Sequence, residues 1–238
     1  MLQRNSIKHS RGFIDDLLTG GKTWSEYLQR QGELLRVLRD NRWLVTIGKV
    51  RLGYSEIQAL GHVVGHQYVK PDPEKIAAIA RISPPYNLPS VRAFLGLAGY
   101  YRRFIENFAK IAKPLTSLTS KEAPFVWGEA EESAFRTLQR KLSDTTLLRT
   151  PTSSGRYRIY TDYSSEAVGA ALHQLQDSVE YPIAFASRLC KGPETTLSSA
   201  EGELCALIYA LGKFRNYLGF EEFDVITDSS ALLSLHSN

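Results

Sequence analysis

The sequence has few of the residues that build disulfide-linked, zinc-binding or membrane-anchored proteins. Its 238 residues include two cysteines, Cys190 and Cys205, which give neither a disulfide framework nor a zinc-ligand spacing. Both lie in apolar stretches, where a free thiol behaves as a small hydrophobic side chain. No segment is apolar for long enough to cross a bilayer, and residues 1–12 lack the apolar core of a secretory signal. We therefore expect an intracellular protein, cytoplasmic or nuclear.

The rest of the composition is typical of a folded chain, with 43% hydrophobic and 23% charged residues. The length suffices for one large domain or two small ones, each with its own core. The net charge of +4 is unevenly distributed, because the stretch from His66 to Lys121 holds nine basic and only three acidic residues. A basic segment of this kind either contacts a phosphate backbone or forms a solvated helix face, and charge alone does not separate the two.

Hydrophobic periodicity predicts an α/β chain in three parts, that is, α+β with several domains. Residues 12–66 are mixed, with a helix over 24–38 and strands at 43–47 and 57–64. Residues 72–119 are helical and interrupted by prolines, and Asn87 is suited to cap one of the helices. The last part has the order βββαβ, followed by a final helix near Ser229. Its predicted elements are a helix over 129–142, strands at 157–162, 168–174 and 181–187, a helix over 199–218 and a strand at 223–228.

Two strands of the last part end in the same dipeptide, Thr161-Asp162 and Thr227-Asp228. If the helix between them is a right-handed crossover, the last strand lies parallel to the first and beside it. Asp162 and Asp228 are then neighbours, and two adjacent carboxylates favour a hard, oxygen-ligated cation such as magnesium. Taken by themselves, these acids also fit a solvated face.

The crossover helix offers Glu201 and Glu203 as a third carboxylate. Ser198 and Glu201 fit a capping box, which gives Glu201 a structural role. Glu203 precedes an apolar stripe that we expect to face the sheet, so that it reaches the strand ends. We assign this stripe to Leu204, Leu207, Ile208 and Leu211.

These motifs, Thr-Asp-Tyr-Ser at 161–164, Gly-Glu-Leu-Cys-Ala-Leu at 202–207 and Thr-Asp-Ser-Ser-Ala-Leu at 227–232, resemble RNase H in order and context. The RNase H site is an Asp, Glu, Asp, Asp cluster that binds two magnesium ions. The resemblance implies that Asp162, Glu203 and Asp228 are catalytic residues and metal ligands. It also implies two-metal hydrolysis of the RNA strand of an RNA/DNA hybrid.

A second resemblance covers the basic middle part. Phe-Leu-Gly-Leu-Ala-Gly-Tyr-Tyr-Arg-Arg-Phe-Ile at 94–105 is similar to the thumb of gypsy-type reverse transcriptases, and residues 60–64 and 124–127 match on either side. We expect Phe94 and Tyr100 to pack in the core. The resemblance implies contacts with the phosphates of a primer-template duplex or RNA/DNA hybrid, which position a duplex without reading its sequence. The residues assigned to these contacts are Arg92, Tyr101, Arg102, Arg103, Lys110 and Lys113.

Near the start, Phe13-Ile14-Asp15-Asp16 resembles the Tyr-x-Asp-Asp motif of polymerases, although a lone Asp-Asp is also common in turns. Together the motifs identify the chain as a segment of a gypsy-type long-terminal-repeat retrotransposon Pol polyprotein, a protein of virus-like particles. The implied domains are the end of a reverse-transcriptase palm (1–66), a helical thumb (67–121) and an RNase H-like domain (122–238).

The sequence departs from this family at both ends. Residues 1–12 contain no acid for the palm, and residues 229–238 contain none for the fourth RNase H carboxylate. We expect the family's RNA-directed DNA polymerase activity to be absent and its ribonuclease H activity to be weak or absent. The RNase H sheet is expected to lack its last strand and helix, so that strand 223–228 is open to self-association. The alternative is a non-catalytic or domesticated nucleic-acid-binding remnant.

Overall fold

The computed structural model describes residues 10–13, 16–121, 124–145, 147–219 and 221–227. The chain divides into two compact units, one made of residues 1–60 and 64–66 and the other of 61–63 and 67–238. Within the described ranges, the helices are too short or too polar to cross a membrane.

The first unit contains a hairpin and one long helix. Strands β1 (Ser10–Phe13) and β2 (Asp16–Thr19) pair antiparallel. Helix α1 (Trp24–Asp40) begins where the hydroxyl of Thr23 accepts the N–H of Glu26, at 3.2 Å, and this helix was predicted. The hairpin was not predicted.

The strand predicted over residues 43–47 is wrong. Arg42 has a left-handed backbone (φ 56°), and the chain then runs without regular structure to a 3₁₀ turn at Ile47–Lys49. Leu44 is fully exposed. Alternating apolar residues therefore produced no strand here, because a strand is stable only when a neighbour completes its hydrogen bonds. The strand predicted over 57–64 is divided by a turn into β3 (Ile57–Ala59) and β4 (His62–Gly65).

The second unit begins with a helical layer. Asn87 caps a helix as predicted, since its Oδ1 accepts the N–H of Ser90 at 2.9 Å. The rings of Phe94 and Phe135 lie 4.6 Å apart at the centre of this layer, so Phe94 is a core residue as predicted. The helices are α2 (Pro73–Ala80), α3 (Leu88–Tyr100), α4 (Phe108–Ile111), α5 (Lys113–Ser117) and α6 (Glu129–Ser143).

Two short strands join distant parts of this unit. β5 (Tyr68–Pro71) pairs antiparallel with β6 (Leu148–Arg149), with Val69 opposite Leu148. Neither strand was predicted, because their pairing depends on the path of the chain through the helices between them. Helix α6, expected to belong to the RNase H-like part, shares one core with α2, α3 and α5.

A four-stranded sheet and one long helix complete the unit. The strand order is β10-β7-β8-β9, and β10 runs parallel to β7, with Val225 opposite Ile159. The predicted crossover and the parallel pairing are both confirmed. The elements are β7 (Arg156–Tyr163), β8 (Ala167–Gln176), β9 (Val179–Leu189), α7 (Ser199–Leu218) and β10 (Phe223–Ile226).

Helix α7 faces the sheet with a different side from the one predicted. Leu204 is 40% exposed and Ile208 is 64% exposed, so the predicted apolar stripe is wrong at these two positions. Small side chains at the interface let the helix backbone approach the strands closely, which a stripe of leucines would prevent. The buried positions are Gly202, Glu203, Ala206, Ala210, Phe214 and Leu218.

Candidate functional site

A cavity of about 470 Å³ opens at the end of β7. Two acidic residues from different elements line it, Asp162 from β7 and Glu203 from α7. The other lining residues are Tyr160, Thr161, Tyr163, Ser199, Ile226 and Thr227.

Glu203 is held against β7 by hydrogen bonds. Glu203 is only 8% exposed. Charged residues are rarely buried without partners, so its carboxylate is expected to have hydrogen-bond donors nearby. The backbone N–H of Tyr163 donates to Oε1 at 3.2 Å, and the hydroxyl of Thr161 donates to Oε2 at the long distance of 3.5 Å. The inference that Glu203 reaches the strand end is therefore confirmed, and its supporting residues Thr161 and Tyr163 were not anticipated.

Glu201, two residues before Glu203, has the structural role predicted for it. The N–H of Ser198 donates to Glu201 Oε2 at 3.0 Å, and the N–H of Glu201 donates to Ser198 Oγ at 3.4 Å. Two hydrogen bonds lower the pKa of Glu201: the bond from the Ser198 side chain has the larger effect, and the bond from the Ser198 backbone N–H has the smaller one. Glu201 is thus a cap at the beginning of α7.

Asp162 is exposed and lies directly opposite Gly169 of β8. Directly paired residues share a sheet face, so Asp162 and Gly169 lie on the same one. That face is covered at Gly169 by Asn107, because a Cβ added to Gly169 would lie 2.3 Å from Asn107 Oδ1. Thr161, the preceding residue, faces the opposite side towards Glu203.

The other predicted acids are Asp228, Asp15 and Asp16. Asp228, which follows Thr227 in the sequence, and Asp15 lie outside the described residues. Asp16 begins β2 and is exposed. Among the residues with described positions, no group of three or more His, Cys, Asp or Glu side chains could hold a metal ion.

Arg102 and Arg103 have internal contacts that the sequence did not predict. Arg102 donates to the carbonyl of Ser187 in β9, and its guanidinium lies 5.5 Å from the ring centre of Phe108. Arg103 donates to the hydroxyl of Tyr217 in α7 at 3.3 Å. Both side chains therefore tie the helical layer to the sheet and to α7.

The burial of the two tyrosines before them is the reverse of the burial expected. Tyr101, assigned to duplex contacts, is 4% exposed and donates its hydroxyl to the carbonyl of Gly61 at 2.8 Å. Tyr100, expected in the core, is 53% exposed. The end of α3 at Tyr100 decides this, because the chain turns there and the helical period no longer predicts which side chain faces inward.

The other basic residues differ in their surroundings. Lys113 forms an ion pair with Glu166 at 2.6 Å, and this contact lowers the pKa of Glu166. Arg92 donates to the carbonyl of Thr119 at 3.4 Å and is otherwise exposed, as is Lys110. Exposed cations are available to a phosphate backbone, whereas the cation of a short ion pair must first leave its partner.

Comparison with known proteins agrees with this geometry. Residues 127–225 match the model of the RNase H-like domain found in reverse transcriptase. The chain is 34% identical over 233 residues to the retrovirus-related Pol polyprotein from transposon gypsy of Drosophila melanogaster, covering 92% of the chain and 22% of the relative. It is 33% identical to the Pol polyprotein from transposon 412 of the same species, covering 98% of the chain and 19% of the relative. The chain thus spans about a fifth of the length of these curated relatives.

Solved structures share the fold. A foamy viral protease-reverse transcriptase in complex with double-stranded DNA superposes with a TM-score of 0.82, at 21% identity, over 98% of this chain and 49% of the other. A foamy viral protease-reverse transcriptase in complex with an RNA/DNA hybrid gives 0.79, at 22% identity, over 94% of this chain and 31% of the other. The chain therefore belongs to the gypsy-type retrotransposon Pol family, with the RNase H-like domain of a reverse transcriptase at residues 127–225.

Proposed function

We propose that the cavity at the end of β7 is the magnesium site of a ribonuclease H that cuts the RNA strand of an RNA/DNA hybrid. The observation that carries the proposal is that Asp162, from a strand, and Glu203, from the crossover helix, both line one open cavity at the end of that strand. Carboxylate oxygens are the ligands that magnesium prefers, so the donor set fits the ion. Thr227 lines the same cavity, and Asp228, the next residue in the sequence, is the proposed third ligand.

Each residue has a distinct part in this proposal. Asp162 and Glu203 would hold magnesium, which supplies water activation and stabilisation of the leaving oxygen when bound. The N–H of Tyr163 and the hydroxyl of Thr161 orient the Glu203 carboxylate, so its oxygens need not reorganise when the ion binds.

The test is magnesium-dependent cleavage of an RNA/DNA hybrid by the purified chain. Because cleavage by this chain is expected to be weak or absent, the prediction applies to whatever cleavage is detected: Glu203→Gln and Asp162→Asn should abolish it, and both should weaken magnesium binding measured by calorimetry. Glu201→Gln is the matched control on the same helix, and it should retain any cleavage and change only stability, because Glu201 belongs to the cap. Cleavage that survives Glu203→Gln but not Glu201→Gln would contradict the proposal.

A second candidate function is binding of a hybrid or duplex without cleavage. It is favoured by the exposed basic side chains of the helical layer, Arg92 and Lys110, and by the nucleic acids bound to the structural relatives. Binding with steep salt dependence, together with no magnesium uptake in the titration, would support this function over the nuclease.

We also infer that a second copy of the chain is a candidate partner. Within the described residues, β10 pairs with β7 along one edge only, and its four residues, Phe223–Ile226, contain no lysine or proline that would block association. Sedimentation over a range of concentrations tests this inference, and a monomer at the highest concentration would contradict it.

A further inference from the structure

We propose that Tyr163 is a positioning residue for Glu203, because its ring, seated on Gly202, sets how close α7 lies to the end of β7. The proposal rests on the proposed function, in which Glu203 holds magnesium. Tyr163 itself reaches no metal or substrate in this proposal, and it acts through the carboxylate of Glu203.

The contact between Tyr163 and Gly202 leaves no space for a side chain at position 202. A Cβ added to Gly202 would lie 2.1 Å from Cδ1 of the tyrosine ring, 2.2 Å from Cε1 and 2.5 Å from Cγ. Non-bonded carbon atoms attract best at about 3.5–4.0 Å, so these separations are strongly repulsive. The ring therefore occupies the volume that a side chain at position 202 would fill, and the backbone of α7 at Gly202 packs directly against it.

The ring is fixed at its other end. The hydroxyl of Tyr163 donates to the carbonyl of Glu194 at 2.6 Å. Glu194 is itself held by two hydrogen bonds from Arg188, at 2.5 and 2.7 Å, and by the N–H of Lys191 at 2.9 Å. Paired charge-assisted bonds of this kind restrict the position of Glu194. The Tyr163 ring therefore cannot turn away from Gly202 without breaking its hydrogen bond to Glu194 or moving the loop that contains Glu194.

Tyr163 thus meets α7 at two successive residues. Its ring contacts Gly202, and its backbone N–H donates to Glu203, the next residue of the helix. The backbone bond is available to any residue at position 163, whereas the ring contact is specific to tyrosine or phenylalanine. Substitution of the Tyr163 side chain therefore removes the ring contact with Gly202 while the backbone hydrogen bond to Glu203 remains available.

The experiment is a double-mutant cycle between positions 163 and 202, with magnesium alone as the ligand in calorimetry and Tm measured for every variant. We expect Gly202→Ala to weaken magnesium binding by about 10–100-fold, as loss of a supporting residue does at other metal sites. In the Tyr163→Ala background the same change should cost little, because the clash is gone, and this non-additivity is the signature of direct coupling. Tyr163→Phe keeps the ring but loses its bond to Glu194, so it should weaken magnesium binding less than Tyr163→Ala does.

Gly212→Ala is the matched control on the same helix, because a Cβ there meets nothing within 4 Å. It should leave magnesium affinity unchanged. If Gly202→Ala does not fold, Tyr163→Ala, which creates no clash, replaces it and should also weaken magnesium binding.

Three outcomes would contradict the proposal in distinguishable ways. A fall in Tm for Gly202→Ala with unchanged magnesium affinity would make the contact a packing feature only. Equal losses from Gly202→Ala in both backgrounds would show that the ring is not what the new methyl group meets. If the unsubstituted chain binds no magnesium, or binds it equally well after Glu203→Gln, the proposed function fails and the positioning role falls with it.

Discussion

Gln174 illustrates how much one side chain can organise in this protein. It is fully buried in β8, its Oε1 accepts the N–H of Thr152 at 2.9 Å, and its amide donates to the carbonyls of Thr152 and Gly155 at 2.9 and 2.7 Å. Gln174→Leu leaves these backbone groups without partners, so we expect a loss of about 1–3 kcal/mol in urea unfolding. The exposed Gln58→Leu is the control and should change stability by no more than about 0.5 kcal/mol.

Gln139 plays a similar part in the helical layer. Its amide donates to the carbonyls of Ile79, Ala80 and Ile82 at 2.9, 3.3 and 3.0 Å and so closes the end of α2. Gln139→Glu has the same shape but no donor when ionised, so we expect a loss of about 1–3 kcal/mol near neutral pH. Protonation restores one donor, and the difference from the unsubstituted chain should narrow as the pH falls. A difference independent of pH would contradict this explanation.

At the scale of elements, the loop between β9 and α7 depends on the ion pair of Arg188 with Glu194. Hydrogen bonds from Arg188, followed by the N–H of Lys191, lower the pKa of Glu194 from its usual 4.5 to about 2. A lowered folded-state pKa contributes stability that is fully present above pH 4.5 and is lost as the pH falls towards 2. We expect Glu194→Gln to destabilise the protein above this window and to make little difference below it.

The measurement is urea unfolding of both proteins at a series of pH values. Glu222→Gln is the control, because its side chain is 91% exposed and its nearest ion pair, with Arg156, is a long 3.8 Å. An equal effect of Glu194→Gln at every pH would mean that the loop is held by packing alone.

For the molecule as a whole, variants of Arg102 and Arg103 test whether these residues of the basic segment contact a nucleic-acid duplex or stabilise the fold. The family resemblance predicts phosphate contacts, so that replacing both would flatten the dependence of log affinity on log salt by roughly one unit per lost contact. Their bonds to Ser187 and Tyr217 predict instead a stability loss of about 1 kcal/mol each.

We expect the stability loss for Arg102→Ala and Arg103→Ala, and the flattened salt dependence for Lys110→Ala, whose side chain is exposed. Hybrid binding by fluorescence anisotropy at several salt concentrations, with urea unfolding of each variant, measures both effects. A flattened slope with unchanged stability for the arginine variants would restore the duplex-binding role.

The sequence by itself determined the features that depend on neighbours along the chain. The caps at Asn87 and Ser198 were predictable because a side chain and a free N–H three residues later form a closed local unit. Alternation predicted β7, β8 and β9, and chain handedness predicted the parallel pairing of β10. The assignment of Glu201 to the cap followed from the same local spacing.

Only the tertiary structure decided which surfaces meet. The β5–β6 pair joins residues about 80 positions apart. Leu204 and Ile208 face outward because smaller residues allow α7 to approach the sheet. Tyr101 is buried, whereas Tyr100 is exposed. The contact of Tyr163 with Gly202 also depends on the tertiary structure. The sequence around a helical glycine does not indicate which side chain of another element packs against it. Burial is a property of the assembled layers, so periodicity could predict that a face exists but not what packs against it.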